Sequence, residues 1–210
     1  MKTEDLIAGL ARDAKAAGPS LHGRLMIAAG AAATVAFALM MLAIGTRPDL
    51  ASAMGTVLFG QKLLLVATLA VAALALLRAA ARPEADLPKS VLVLPALIFL
   101  FGMGHEVATQ PAAVFGARLV GNNSALCLVA IPLLAAAPLA IFLAALRNGA
   151  PQSAMQAGAL AGFAAGTIAA FFYGLHCADD SPFFVATWYT IGIALTGTVG
   201  ALLGRRMLAW

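Results

Sequence analysis

Of 210 residues, 62% are hydrophobic and only 10% are charged. Soluble domains carry about a quarter charged residues, so an ordinary water-soluble fold is excluded. The net charge of +4 does not point to nucleic acid, because the basic residues stand singly at the ends of apolar runs and form no patch. No direct nucleic-acid contact and no cofactor are expected.

In chain order, residues 1–24 come first. Thr3 to Ala17 reads as a short amphipathic helix: Glu4 and Asp5 suit its positive end, Lys15 the other, and Gly18 with Pro19 stops it. Leu6, Ile7, Leu10 and Ala14 form one apolar stripe. A helix of about 15 residues is marginal alone in water, so the stripe needs a partner. Balanced charge argues against a membrane surface, which prefers Lys- and Arg-rich helices, and for a groove on a cytoplasmic protein.

Apolar runs of spanning length follow at about residues 25–45, 56–77, 124–146, 154–174 and 183–204. "ASA" at Ala51 to Ala53 resembles a signal cleavage site, but the run before it is long enough to remain as a span. A further run at 90–106 is ambiguous, since only "VLVLPALIFLFGM", Val91 to Met103, is continuously apolar before His105 and Glu106. Charge settles it. If this run crosses, Lys2, Arg12, Lys15, Arg24, Arg78, Arg82, Lys89, Arg147, Arg205 and Arg206 fall inside against Arg47 and Arg118 outside. If it does not, Arg147, Arg205 and Arg206 move out and Arg118 moves in. The positive-inside rule therefore predicts an all-α integral membrane protein: one six-helix domain over residues 25–206, a tail at 207–210, and both termini cytoplasmic. Gly158, Gly162 and Gly166, spaced by four, suit close helix packing. Pro95, Pro132 and Pro138 lie in apolar runs, where proline tends to kink a helix.

This topology puts three loops outside: Thr46 to Gly55, about 104–123, and Leu175 to Pro182. The last contains "LHCADD", Leu175 to Asp180. Cys177 lies in it, and Cys127 lies about 4 to 5 Å down the fourth helix. A bridge between them needs Cα atoms about 4.4–6.8 Å apart; Cys127 taken alone equally reads as a small apolar packing residue. Without a CxxC spacing, the two cysteines build neither a disulfide scaffold nor a four-thiolate metal site. His105, Glu106 and Asp180 map to the same side as the weaker candidate metal set of His176, Cys177, Cys127 and Asp179, whose donors suit zinc or cadmium but whose spacing fits no closed site. Asp179 or Asp180 is a candidate cap for the sixth helix. Lys62 is a cation within the second span, close enough to its outer end to snorkel. With no acidic partner read inside the spans, ion transport is disfavoured.

The N-terminal "MKTEDLIAGLARD", the "CL" at Cys127 and Leu128, the "NGAP" at Asn148 to Pro151, and above all "LHCADDSPFFVATWY" from Leu175 to Tyr189 resemble the NrsF-type membrane anti-sigma factors over essentially the whole chain. The resemblance implies an inhibitor, not an enzyme, in a bacterial inner membrane. Residues 1–24, through Glu4, Asp5, Leu6, Ile7 and Leu10, would hold an extracytoplasmic-function (ECF) sigma factor of the sigma-F type. Cys127 and Cys177 would be its redox-sensing or metal-sensing pair, with a metal ion as one form of the signal. The lipid bilayer is the other partner. The rival readings are a thiol oxidoreductase feeding electrons to quinone, which commonly has two cysteine pairs, and a small transporter.

Overall fold

The structure, a computed structural model, describes residues 3–5, 7, 20–82, 86–147 and 149–208. It is all-helical, with no strand among the described residues. Six helices are long and apolar enough to cross a membrane: α1 (Leu21–Ala43), α2 (Val57–Ala80), α3 (Lys89–Thr109), α4 (Ser124–Leu146), α5 (Ala154–Tyr173) and α6 (Pro182–Met207). The ambiguous third run is thus a helix of 21 residues, about 30 Å long at 1.5 Å per residue. It extends past residue 106, so Glu106 sits inside α3 and not at its end. Thr3, Glu4, Asp5 and Ile7 are helical and exposed. Leu6 and Leu10 lie outside the described residues.

Local chemistry sets the helix starts. The Ser20, Thr56 and Ser153 side chains accept from the backbone N–H groups of Gly23, Phe59 and Gln156, capping α1, α2 and α5. Gly45, at φ +69°, ends α1 in the left-handed conformation that only glycine adopts cheaply. Pro95 falls in the first α-helical turn of α3, after a 3-10 turn at Lys89–Leu92. Its missing N–H therefore removes no interior hydrogen bond. Pro132 and Pro138 do lie inside α4.

α5 is the central helix and packs on α6, α2, α4 and α1. Its composition explains this: Ala157, Gly158, Ala161, Gly162, Ala164, Ala165 and Gly166 are all buried, so neighbouring backbones approach closely. Against α6 the approach leaves no room for a side chain. A Cβ on Gly158 would sit 2.7 Å from Gly204 Cα, and one on Gly162 2.7 Å from Gly197 Cα. α3 is the peripheral helix, least buried of the six. Its main partner is α2, where the Gln61 side chain crosses to donate to Ile98 O at 3.2 Å.

Replacing Gly162 with valine should cost about 1–3 kcal/mol by overpacking, read as a lowered thermal midpoint in detergent. Gly60→Ala, with nothing within 4 Å of the new Cβ, should be neutral or stabilising by up to about 1 kcal/mol.

Candidate functional site

The linkers after α1, α3 and α5 meet at one end of the bundle, and the site lies where they converge. Its centre is the α5–α6 linker. The Leu175 carbonyl accepts from Arg47 N at 3.1 Å. His176 Nδ1 donates to Gly45 O at 3.0 Å. The Cys177 carbonyl accepts from Lys62 Nζ at 2.8 Å and Arg47 Nη1 at 3.4 Å. Asp179 accepts from the backbone N–H groups of Asn122 and Asn123 at 3.1 and 2.9 Å, and from Asn123 Nδ2 at 2.8 Å. Asp180 pairs with Lys62 Nζ and with Arg47 Nη1, the latter at 2.8 Å. Ser181 Oγ donates to Glu106 Oε1 at 2.9 Å, and Glu106 also pairs with Arg118. From Leu175 to Ser181, each residue except Ala178 is thereby tied to a different element.

Two sequence expectations change here. Lys62 does not snorkel: it is 3% exposed, its ammonium fixed by Asp180 and the Cys177 carbonyl and lying 5.3 Å from the Phe59 ring centroid. Neither aspartate caps α6. Asp179 serves α4 instead, receiving the N–H groups just ahead of that helix, where the Asn123 side chain makes no cap of its own. Gly121 allows this approach: its φ is +57°, and a Cβ there would meet Asp179 Cγ at 2.8 Å.

Beneath the tied linker lie the two cysteines. Both are reduced, and both are completely buried. Their side chains are close enough to interact, so two positions fifty residues apart in sequence form one dithiol. Cys127 Sγ also donates to Tyr173 Oη at 3.4 Å. Tyr173 and Tyr189 are fully buried around the pair, with ring centroids 5.9 Å apart. The Tyr189 hydroxyl has no hydrogen-bond partner. Cys177, outside the six helices, has its thiol held down to about 7 by the hydrogen bond from Cys127, with the Lys62 charge adding to it against the opposing effect of burial. An opposite charge and a donated hydrogen bond both favour the thiolate.

The other half of the candidate metal set does not join the thiols. His176 is committed to Gly45 and Asp179 to the asparagines, while His105 stacks on Phe101. Among the described residues no three His, Cys, Asp or Glu side chains gather in a way that holds a metal ion. Sequence reasoning also missed Arg47 and Glu106 as structural partners. Glu106 is 1% exposed and is an acid inside a long apolar helix. The length of the hydrophobic run hid it, and a charge three residues past the run's end at Met103 was the available signal.

The family described as "Negative regulator of sigma F" matches residues 10–210. The chain is 33% identical to "Probable anti-sigma-F factor NrsF" of Azospira oryzae and 31% identical to "Anti-sigma-F factor NrsF" of Caulobacter vibrioides, in each case over all of both chains. No solved structure matches it.

If the Lys62 charge and the interaction with Cys127 set the ionisation of Cys177, its ultraviolet thiolate absorbance should appear through pH about 7. A free cysteine titrates at about 8.5. Lys62→Met should move the midpoint upward, measured as difference absorbance against a Cys177→Ser variant; a wild-type midpoint at the free value would contradict this.

Proposed function

The chain belongs to the NrsF family of negative regulators of sigma F, and on that premise we propose that it is a membrane-embedded anti-sigma factor of the bacterial inner membrane. Residues 1–24 hold an ECF sigma factor at the cytoplasmic face, and oxidation of Cys127 and Cys177 at the outer face releases it. The observation that carries this reading is the buried dithiol beneath a fully tied linker, at the end of the bundle opposite the basic one.

That second end gathers the start of α1, the end of α2 and the α4–α5 linker: a Cβ on Gly149 would lie 3.1 Å from Ala81 O and 3.5 Å from Leu21 Cδ1. Arg24, Arg78, Arg82, Lys89, Arg147, Arg205 and Arg206 belong to it. Such an excess suits a cytoplasmic face. At the dithiol end Arg47 and Arg118 are both paired with acids, which suits the opposite face. In an inner membrane that face meets the periplasm, where disulfides persist.

The switch then has a physical basis. Joining the two thiols into a bond of about 2.05 Å draws the head of α4 and the α5–α6 linker together. α5 and α6 touch backbone to backbone at Gly158, Gly162, Gly200 and Gly204, so a displacement at their outer linker is carried along a pair without slack. At the cytoplasmic end a loss of about 1.4 kcal/mol in sigma affinity is a tenfold change in the binding constant.

The amphipathic stripe makes the partner testable. The double substitution Leu6→Asp, Leu10→Asp should abolish co-purification of the sigma factor while the protein remains in the membrane fraction. Undiminished capture would reject residues 1–24 as the binding segment.

A further inference from the structure

α4 and α6 touch near the dithiol end, where a Cβ on Gly192 would meet Ile131 at 3.2 Å. Toward the basic end they part. An apolar groove of about 260 Å³ opens between them, running from Pro132 to Arg147 on α4 and from Thr196 to Met207 on α6. Its origin is local to α4. Pro132, Ala136, Ala140 and Ala144 recur every four residues, which sets them on one face as a low stripe opposite Val199 and Leu203.

The groove has the depth of one lipid leaflet. At 1.5 Å per residue its walls run about 22 Å along α4 and about 16 Å along α6, against a hydrocarbon core about 30 Å thick. Its interior offers nothing to a polar ligand: the Thr196 hydroxyl donates to Gly192 O at 3.0 Å, and no lining residue carries a buried polar atom without a partner. Charge is confined to the basic mouth. Arg147 lines it and is exposed. Arg206, three residues on from Leu203 and seven on from Val199, shares that face of α6 by helical spacing. Among the described residues neither guanidinium is paired with an acid, whereas Arg47 and Arg118 at the other end both are. A second copy of this chain docked side by side would bring its own arginines to the same mouth, and such like-charge contact costs several kcal/mol.

We propose that this groove is a docking site for an anionic phospholipid, with one acyl chain lying between α4 and α6 and the phosphate held by Arg147 and Arg206. An acyl chain matches the apolar walls and their length. The planar guanidinium matches a phosphate through paired N–H donors, and a basic pocket between spanning helices is a recurrent headgroup site. The proposal rests on the membrane placement above and is independent of the thiol-sensing role.

The test uses the full-length protein, delipidated in detergent, with phosphatidylglycerol or phosphatidylcholine of the same chain length added, and counts bound lipid by native mass spectrometry. One phosphatidylglycerol per chain should bind about tenfold more tightly than phosphatidylcholine. The double substitution Arg147→Gln, Arg206→Gln should remove that preference, while Arg205→Gln, on the opposite flank of α6 by helical spacing, should leave it intact. Ala136→Trp and Ala140→Trp, which fill the groove from exposed positions, should each weaken phosphatidylglycerol binding about tenfold without lowering the lipid-free thermal midpoint. A preference that survives the double substitution, binding indifferent to both plugs, or a dimer formed through the groove in place of lipid binding overturns the site and leaves the sensor reading standing. Protein that stays in solution without detergent overturns the membrane placement and the groove with it.

Discussion

The dithiol end of this protein depends on one buried charge cluster, in which Lys62 and Arg47 converge on Asp180 and on the carbonyl of Cys177. Removing ions from water costs several kcal/mol each, and only good geometry with further hydrogen bonds offsets it. Here the geometry is supplied by two linkers and a helix at once. Arg47 comes from the α1–α2 linker, where Asp49 grips its guanidinium from the other side at 2.7 Å; Lys62 comes from α2, and Asp180 from the α5–α6 linker. Loss of Asp180 would leave the buried Lys62 without its acidic partner. The cluster therefore holds the α5–α6 linker closed, and the linker in turn holds Cys177 against Cys127. A position held this firmly suits a sensor, because sulfurs that wandered apart would not close a bond.

The same architecture distributes stiffness and looseness unevenly. α5 and α6 meet through glycine backbones and have no side-chain layer to absorb a shift, whereas α3 is attached mainly along α2 and meets α6 at its Pro182–Phe184 start. Strain introduced at the dithiol is thus passed along the stiff pair. These two properties follow from composition: α5 spends its small residues on contact, while α3 carries Leu94, Leu97, Leu100 and Phe101 exposed to its surroundings.

Much of this was legible in the sequence for physical reasons. Six apolar runs announce six helices because burial in an apolar phase requires length, and the charge count resolved the one run that length left open. That Cys127 and Cys177 lie at one end of the bundle followed from the order of the runs and, for Cys127, from helix rise, and the glycines at intervals of four announced the α5–α6 contact. Side-chain pairing was not legible. Lys62 and Asp180 are separated by 118 positions, and nothing local to either names the other, so Lys62 read as a snorkelling residue and Asp180 as part of a solvated loop or a cap. Asp179 serving α4 from 56 residues away is invisible for the same reason. Glu106 was placed in a loop because a helix was judged to stop where its apolar run stopped; Arg118 and Ser181 let the helix continue with the acid inside.

The central claim is that the state of one buried dithiol sets sigma-factor retention at the other end of the bundle. The most direct measurement is sigma factor bound to proteoliposomes before and after the Cys127–Cys177 bridge is closed, in the wild type and in a Cys127→Ser, Cys177→Ser variant. The account predicts that closure lowers retention in the wild type by about tenfold or more and that the variant retains its sigma factor under the same oxidant. A bridge formed in full with retention unchanged would contradict it.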